Sequence, residues 1–167
     1  MGTMMDYLVC VVLVGAGATA TMDLWSVVRT RLLGIPALDY GLVGRWLVHL
    51  LRGRFRHERI AASPPVRGER RIGWTAHYLI GIVFAAVLLA FWGIDWARRP
   101  TLGPALLVGI GSVAAPFFIL QPGMGAGIAA SRTPRPAAAR LQSLITHAVF
   151  GVGLYAAGRL VAFLYTG

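Results

Sequence analysis

The chain has 167 residues, 57% of them hydrophobic and only 13% charged, where an ordinary soluble domain carries about a quarter charged residues, so a soluble globular class is excluded. The formal charge of +10 comes from arginine without a single lysine; in a soluble protein it would suggest nucleic acid, but the arginines sit between apolar runs with no basic stripe interleaved with aromatics, and no nucleic-acid partner is expected. One cysteine, Cys10, excludes an intrachain disulfide and a cysteine metal cluster.

Tyr7–Val28 is the first run long enough to supply the ~20 apolar residues that cross a bilayer. Ala18-Thr19-Ala20 mimics a signal-peptide cleavage site, but the leading segment has Asp6 and no positive charge, so the run is expected to be retained as a span. Gly15, Gly17, Ala18, Ala20 and Thr21 give it a small-residue surface for close helix contact, with Cys10 acting as a small apolar side chain. The string from Gly15 to Ala20 also fits a loose dinucleotide pattern, which a spanning helix without a βαβ unit rules out.

Gly34-Ile-Pro36 ends this helix. Residues 38–55 then place Leu38, Leu42, Val43, Trp46, Leu47, Leu50 and Leu51 on one helical face, with Arg45, His49, Arg52 and Arg56 on the other. This is the pattern of a basic amphipathic helix lying in the membrane interface, weakened by Gly41 and Gly44. Spans over 74–92, 102–121 and 143–165 follow. Between the second and third, Gly93 to Pro100 reads as a short outer turn, with Trp92 and Trp96 in an interfacial belt. Pro116 is expected to kink the third span.

Gln121-Pro-Gly-Met-Gly-Ala-Gly-Ile-Ala-Ala-Ser131 then breaks the helix. Backbone at membrane depth is tolerated in such a form only where protein packs on it or a wet cavity adjoins it. In the fourth span Gly151, Gly153 and Gly158 form another packing face, and Arg159 snorkels from near its outer end. The expectation is an all-α polytopic membrane protein: one integral membrane domain over residues 1–167, four spans and an interfacial helix in the first inner loop.

Ten arginines lie between Arg29 and Arg71, and three more (Arg132, Arg135, Arg140) between the third and fourth spans. The positive-inside rule therefore puts the first and third loops in the cytoplasm and both termini outside, with Arg98 and Arg99 counting mildly against. The chain also repeats itself. Ile60-Ala-Ala-Ser63 recurs as Ile128-Ala-Ala-Ser131, and Leu13-Val-Gly15-Ala-Gly17 as Leu107-Val-Gly109-Ile-Gly111. His77 and His147 each stand four residues before a glycine, Gly81 and Gly151. The spans thus read as two duplicated helical hairpins in parallel, one of the symmetries found in transporters.

Few span residues are polar. Counting ~1.5 Å per residue from Arg29, Arg71 and Arg140, Asp23, His77 and His147 all lie about 9–10 Å below the inner face, with Gln121 to Met124 at a similar level. Ionisable residues at that depth are functional-site candidates, so Asp23, His77, Gln121, Gly123, Met124 and His147 are assigned to ligand or proton binding. Asp23 with one histidine suits proton exchange. The alternative is that these residues are hydrogen-bonded glue between helices. Two histidines, a carboxylate and Met124 also resemble a copper ligand set, yet no spacing puts two ligands on one helix, and no metal or cofactor is assigned. No nucleophile has a base nearby, and no catalytic residue is assigned; Ser63 and Ser131 are expected to cap the turns after them. Arg45, Arg52, Arg54 and Arg56 are assigned to anionic lipid headgroups, whose phosphates suit guanidinium groups; His57 and Glu58 stand beside them.

Four long motifs carry a family resemblance: Gly17–Trp25 (Gly-Ala-Thr-Ala-Thr-Met-Asp-Leu-Trp), Leu38–Trp46 (Leu-Asp-Tyr-Gly-Leu-Val-Gly-Arg-Trp), Arg52–Pro65 (Arg-Gly-Arg-Phe-Arg-His-Glu-Arg-Ile-Ala-Ala-Ser-Pro-Pro) and Gln121–Ser131. The chain resembles, over nearly its whole length, a family of small bacterial inner-membrane proteins known as a domain of unknown function. The resemblance implies that location and a four-span fold, and brings no activity with it. On the residues alone, the leading expectation is a small transporter or transport-related protein, paired as a homodimer through small-residue faces. The alternatives are a scaffold binding lipid or a partner protein through the basic first loop, and an intramembrane enzyme acting on a lipid or quinone.

Overall fold

The structure, a computed structural model, describes residues 4–166. It is helical throughout: α1 (Met4–Leu33), α2 (Tyr40–Leu51), α3 (Glu69–Arg98), α4 (Leu102–Gly111), a π turn (Pro116–Leu120), the short α5 (Gln121–Met124) and α6 (Pro136–Thr166), with single 3₁₀ turns at Ile60–Ala62 and Ile128–Ala130. No strand occurs among the described residues. Four segments are long and apolar enough to cross a membrane: Met4–Leu33, Glu69–Arg98, Leu102–Met124 and Pro136–Leu164.

Each overruns its expected limits, because a helix continues past its apolar stretch until something stops it. Gly34 stops α1 in the left-handed region (φ 65°), its N–H still donating to Thr30 O. Pro136 starts α6 where its missing N–H costs nothing. The expected outer turn is also mostly helix. Only Gly93 leaves helical geometry (φ 73°, ψ 172°), and α3 resumes to Arg98. Trp96 packs within the protein: it is 5% exposed, donates Nε1–H to Thr101 O and faces Gly158. Trp92 remains exposed.

The chain divides into two compact units. The first comprises residues 1–37, 78–112 and 145–167, which hold α1, most of α3, α4 and most of α6. Its core is Cys10, Val14 and Ala18 from α1, Ala85, Leu88 and Leu89 from α3, Ala105 from α4, and Phe150 and Leu154 from α6. Large apolar side chains such as Leu8, Val12, Val83, Phe91, Leu107 and Phe163 point outward. In lipid, burying such groups gains little, so association rests on close packing.

Glycine provides that packing. A Cβ on Gly15 would stand 2.5 Å from Ile82 Cα, and one on Gly109 would overlap the backbone of Gly151. Gly17 faces Ala157, and Gly153 faces Ala18 and Thr21. Gly15, Gly17, Gly109 and Gly153 are thus met by neighbouring helices of the same chain, while Ala20 stays exposed. Thr19 and Thr21 return their hydroxyls to Gly15 O and Gly17 O, 2.8 and 2.9 Å away, which hides two polar groups within α1.

The second unit comprises residues 38–77 and 113–144. Asp39 caps α2 by accepting from Gly41 N at 2.8 Å. Gly53 (φ 81°) ends it, with Gly53 N donating to Leu50 O and Arg54 N to His49 O, so α2 covers 12 residues rather than the whole of 38–55. Its glycines, expected to weaken it, are its contact surface: a Cβ on Gly44 would overlap Glu69 O, and one on Gly73 would overlap Tyr40 O. His49, expected on the outer polar face, is buried, with its Nε2 3.3 Å from Pro64 O.

The packing of the first unit generates a test. Gly15→Ala should lower stability by about 1–3 kcal/mol, since backbone must shift to admit the methyl group. Gly103→Ala, where the space is open, should not lower it. Thermal unfolding of the detergent-solubilised protein reads both, and equal effects would refute backbone contact at Gly15.

Candidate functional site

In the second unit two chain segments are joined into one wall-and-floor arrangement. Trp46, on α2, donates Nε1–H to Phe55 O at 2.8 Å and lies against Gly123, where a side chain would strike its indole. His57 N–H donates to Gly123 O at 2.9 Å. The carbonyl of Glu58 presses on Gly125, which leaves no room for a Cβ and takes φ 100°. A cleft of about 380 Å³ opens beside these contacts, with Arg56, His57 and Glu58 on one side and Pro122, Gly127, Ile128, Ser131 and Arg132 on the other. The cleft is open to the surface: Arg56, Glu58, Ile128, Ser131 and Arg132 are all exposed.

The helix break supplies one of these walls. Pro116 has no N–H to give, and the turn after it widens so that Gln121 N–H reaches back to Pro116 O. α5 ends after four residues in a Schellman turn, with Ala126 N donating to Gln121 O (2.8 Å) and Gly125 N to Pro122 O (3.3 Å). Arg132 N then closes the loop onto Ala126 O at 2.8 Å. These bonds satisfy backbone that a spanning helix would otherwise have served.

The repeated Ile-Ala-Ala-Ser segments form the same bond with opposite hands. Ser63 N donates to Ile60 O and Ser131 N to Ile128 O, both at 3.0 Å. In the second copy, however, Ala129 and Ala130 have φ of 46° and 58°; no other non-glycine residue among those described has positive φ. That region costs an L-residue about 1–2 kcal/mol. It is held by Arg140 Nε–H donating to Ala129 O (2.8 Å) and by Thr133, whose hydroxyl and N–H both donate to Ala130 O (2.8 and 3.0 Å).

The imidazole of His57 is buried against that of His49, with ring centroids 5.1 Å apart. Its Nδ1 meets Ser63 Oγ at 3.0 Å and its Nε2 meets Arg54 O at 3.3 Å. The Ser63 hydroxyl therefore turns back to His57. Burial holds the His57 pKa below its ordinary value, although the bond to Arg54 O opposes the shift.

The polar residues expected at one depth are divided between the units. In the first, Asp23 Oδ2 accepts from Tyr78 O–H at 3.0 Å. His147 Nδ1 lies 2.7 Å from Ser112 Oγ, whose hydrogen goes to Gly109 O at 2.6 Å; His147 Nδ1 thus carries the proton of that bond. Arg29, the inner-edge marker of α1, is buried, reaching Pro36 O and the Thr146 hydroxyl.

In the second unit, His77 stacks on Tyr40 (centroids 4.3 Å apart) and bonds its hydroxyl through Nε2 at 2.9 Å, with Trp74 against both rings. Gly123 is the contact for Trp46 and His57 already described, and Met124 closes α5. Gln121 Oε1 is buried and finds no hydrogen-bond partner among the described residues. No group of three or more His, Cys, Asp or Glu among the described residues is arranged for a metal ion.

Of the arginines assigned to headgroups, Arg45 is engaged within the protein. It grips Glu69 through two bonds (2.7 and 2.8 Å) and donates to Ala61 O and Ser63 O. Arg52, Arg54 and Arg56 are exposed. Sequence reasoning did not find Tyr40, Tyr78 or Ser112, whose hydroxyls carry no periodic signal, nor the pairing of Arg132 and Ser131 with the segment Arg56 to Glu58.

Four apolar spanning segments with a helix break packed on an amphipathic helix define a small polytopic α-helical membrane protein. The family described as "Protein of unknown function (DUF2938)" matches residues 12–161. The chain belongs to that family, whose match takes in all four motifs noted in the sequence. No curated protein and no solved structure matches it.

The two hands of the repeated turn predict opposite responses to one substitution. Ala129→Gly should raise stability by up to about 1 kcal/mol, because glycine takes positive φ without strain, while Ala61→Gly should lower it by about 0.5–1 kcal/mol through chain entropy. Denaturant unfolding in detergent measures both, and a matching sign would refute the left-handed turn.

Proposed function

We propose that this chain is a protein of the bacterial inner membrane that binds a phosphate-bearing lipid headgroup in the cleft of its second unit. The observation that carries this reading is the pair Arg56 and Arg132. They line the cleft from its two sides, and neither forms an ion pair with another described residue. Guanidinium groups suit phosphate because their N–H donors match its oxygens two at a time. Arg52 and Arg54 add positive charge to the approach, as expected where anionic lipids line the cytoplasmic leaflet. The arginine distribution supports the accompanying topology, with both termini outside and the first and third loops in the cytoplasm.

The reading is tested by native mass spectrometry of delipidated protein titrated with short-chain phospholipids. Lipid adducts should form, and Arg56→Gln with Arg132→Gln should weaken them about tenfold or more, given ~1.5–3 kcal/mol for a charged hydrogen bond. Adducts of unchanged strength would overturn it.

A second reading, transport, is favoured by the first unit. Gly15 meets Gly81 and Ile82, and Gly109 meets Gly151, which are places within one residue of each other in the two hairpins, as a parallel duplication would give. Asp23 and His147 there each share a hydrogen bond with a hydroxyl. On this reading the two residues relay protons. Proteoliposomes containing a pH dye should then acidify faster under an imposed potential than those carrying Asp23→Asn or His147→Ala. Equal rates would remove transport by these residues.

A further inference from the structure

The cleft holds one charged residue that a plain phosphate site does not require. Glu58 lines it together with Arg56 and Arg132. Its carboxylate forms no ion pair with any described residue, although Arg56 and Arg59 are its close neighbours in sequence. Both sides of its backbone are fixed against the opposite wall. The His57 N–H before it bonds Gly123 O at 2.9 Å, and its own carbonyl abuts Gly125. The backbone that carries the residue is therefore held at the cleft. The cleft presents two cations and one anion, none neutralised by a described partner.

Resting on the headgroup reading above, we infer that the ligand is zwitterionic: a phosphodiester bearing a primary ammonium group, the chemistry of a phosphoethanolamine headgroup. Arg56 and Arg132 take the phosphate oxygens, and the Glu58 carboxylate takes the ammonium hydrogens. A headgroup without an ammonium leaves the Glu58 carboxylate uncompensated beside the phosphate charge. A quaternary ammonium has no N–H to donate to the carboxylate and binds less well. The carboxylate thus selects among lipids that the arginines alone would accept equally, which is specificity through a repulsive element.

The experiment compares short-chain phosphatidylethanolamine, phosphatidylcholine and phosphatidylglycerol of identical acyl chains on the delipidated full-length protein, again by native mass spectrometry. The ethanolamine lipid should bind tighter than either of the others by roughly two- to fivefold, the scale of a partly exposed ion pair. Glu58→Gln should erase that preference while leaving phosphatidylglycerol binding as strong or stronger. Arg132→Gln should weaken all three.

Equal binding of the three lipids by the wild type, or a preference that survives Glu58→Gln, overturns the inference and leaves the phosphate reading standing. Absence of any arginine-dependent binding overturns both. Soluble glycerophosphoethanolamine, added as a competitor, separates the sources. Displacement assigns the site to the headgroup in free or lipid form, and retention of the lipid preference without displacement assigns it to the membrane lipid.

Discussion

The backbones of α2 and of the first turns of α3 touch directly, at Gly44 and Gly73. Much of the second unit follows from that contact. With no side chain between the two helices, Arg45 comes close enough to grip Glu69 with two parallel bonds, and Glu69 in turn accepts from Val66 N at 2.9 Å. Tyr40 is set on His77 and Trp74. Further along α2, Trp46 is presented to Gly123 and His49 to His57. The cleft walls are therefore the far end of a chain of contacts that begins where two glycines meet.

Within the first unit the same device works on another problem. Lipid offers neither hydrophobic gain nor water, so a stable bundle needs intimate packing and every polar group paired. Glycine at Gly15, Gly17, Gly109 and Gly153 meets the first need. Hydroxyls meet the second: Thr19 and Thr21 bond their own helix, Ser112 bonds both Gly109 O and His147, and Tyr78 bonds Asp23. The same side chains leave Asp23 and His147 oriented by defined partners, whatever chemistry they perform.

Much of this architecture was legible in the residue pattern. The four spans and the extra helix are carried by hydropathy and period, which are local properties. Their ends were less so: α3 reaches back to Glu69 because Arg45 and Val66 N hold that carboxylate, and no apolar run announces it. Gly41 and Gly44 read as flaws in a helix until the partner backbone is placed against them. The packing of Trp96 against Gly158 carries no signal in its neighbourhood of sequence. The break at Gln121–Ser131 was visible from its glycines, and so was the charge of Arg56. What the sequence concealed is the pairing of that break with Arg56 to Glu58, sixty residues and more away, because it is made by one backbone bond, from His57 N to Gly123 O, and by the close approach of Glu58 O to Gly125, neither of which leaves a periodic signal.

The turn at Ile128–Ala130 has a consequence for synthesis. Its two left-handed alanines are uphill by a few kcal/mol in a free chain, and one of their clamps, Arg140, lies eleven residues further on. When the third span leaves the ribosome, that clamp does not yet exist. Until the start of α6 has been made, the turn that precedes Arg132 has only the Thr133 bonds to hold it. A chain truncated before Arg140 would carry its spans up to the break and lack a finished site.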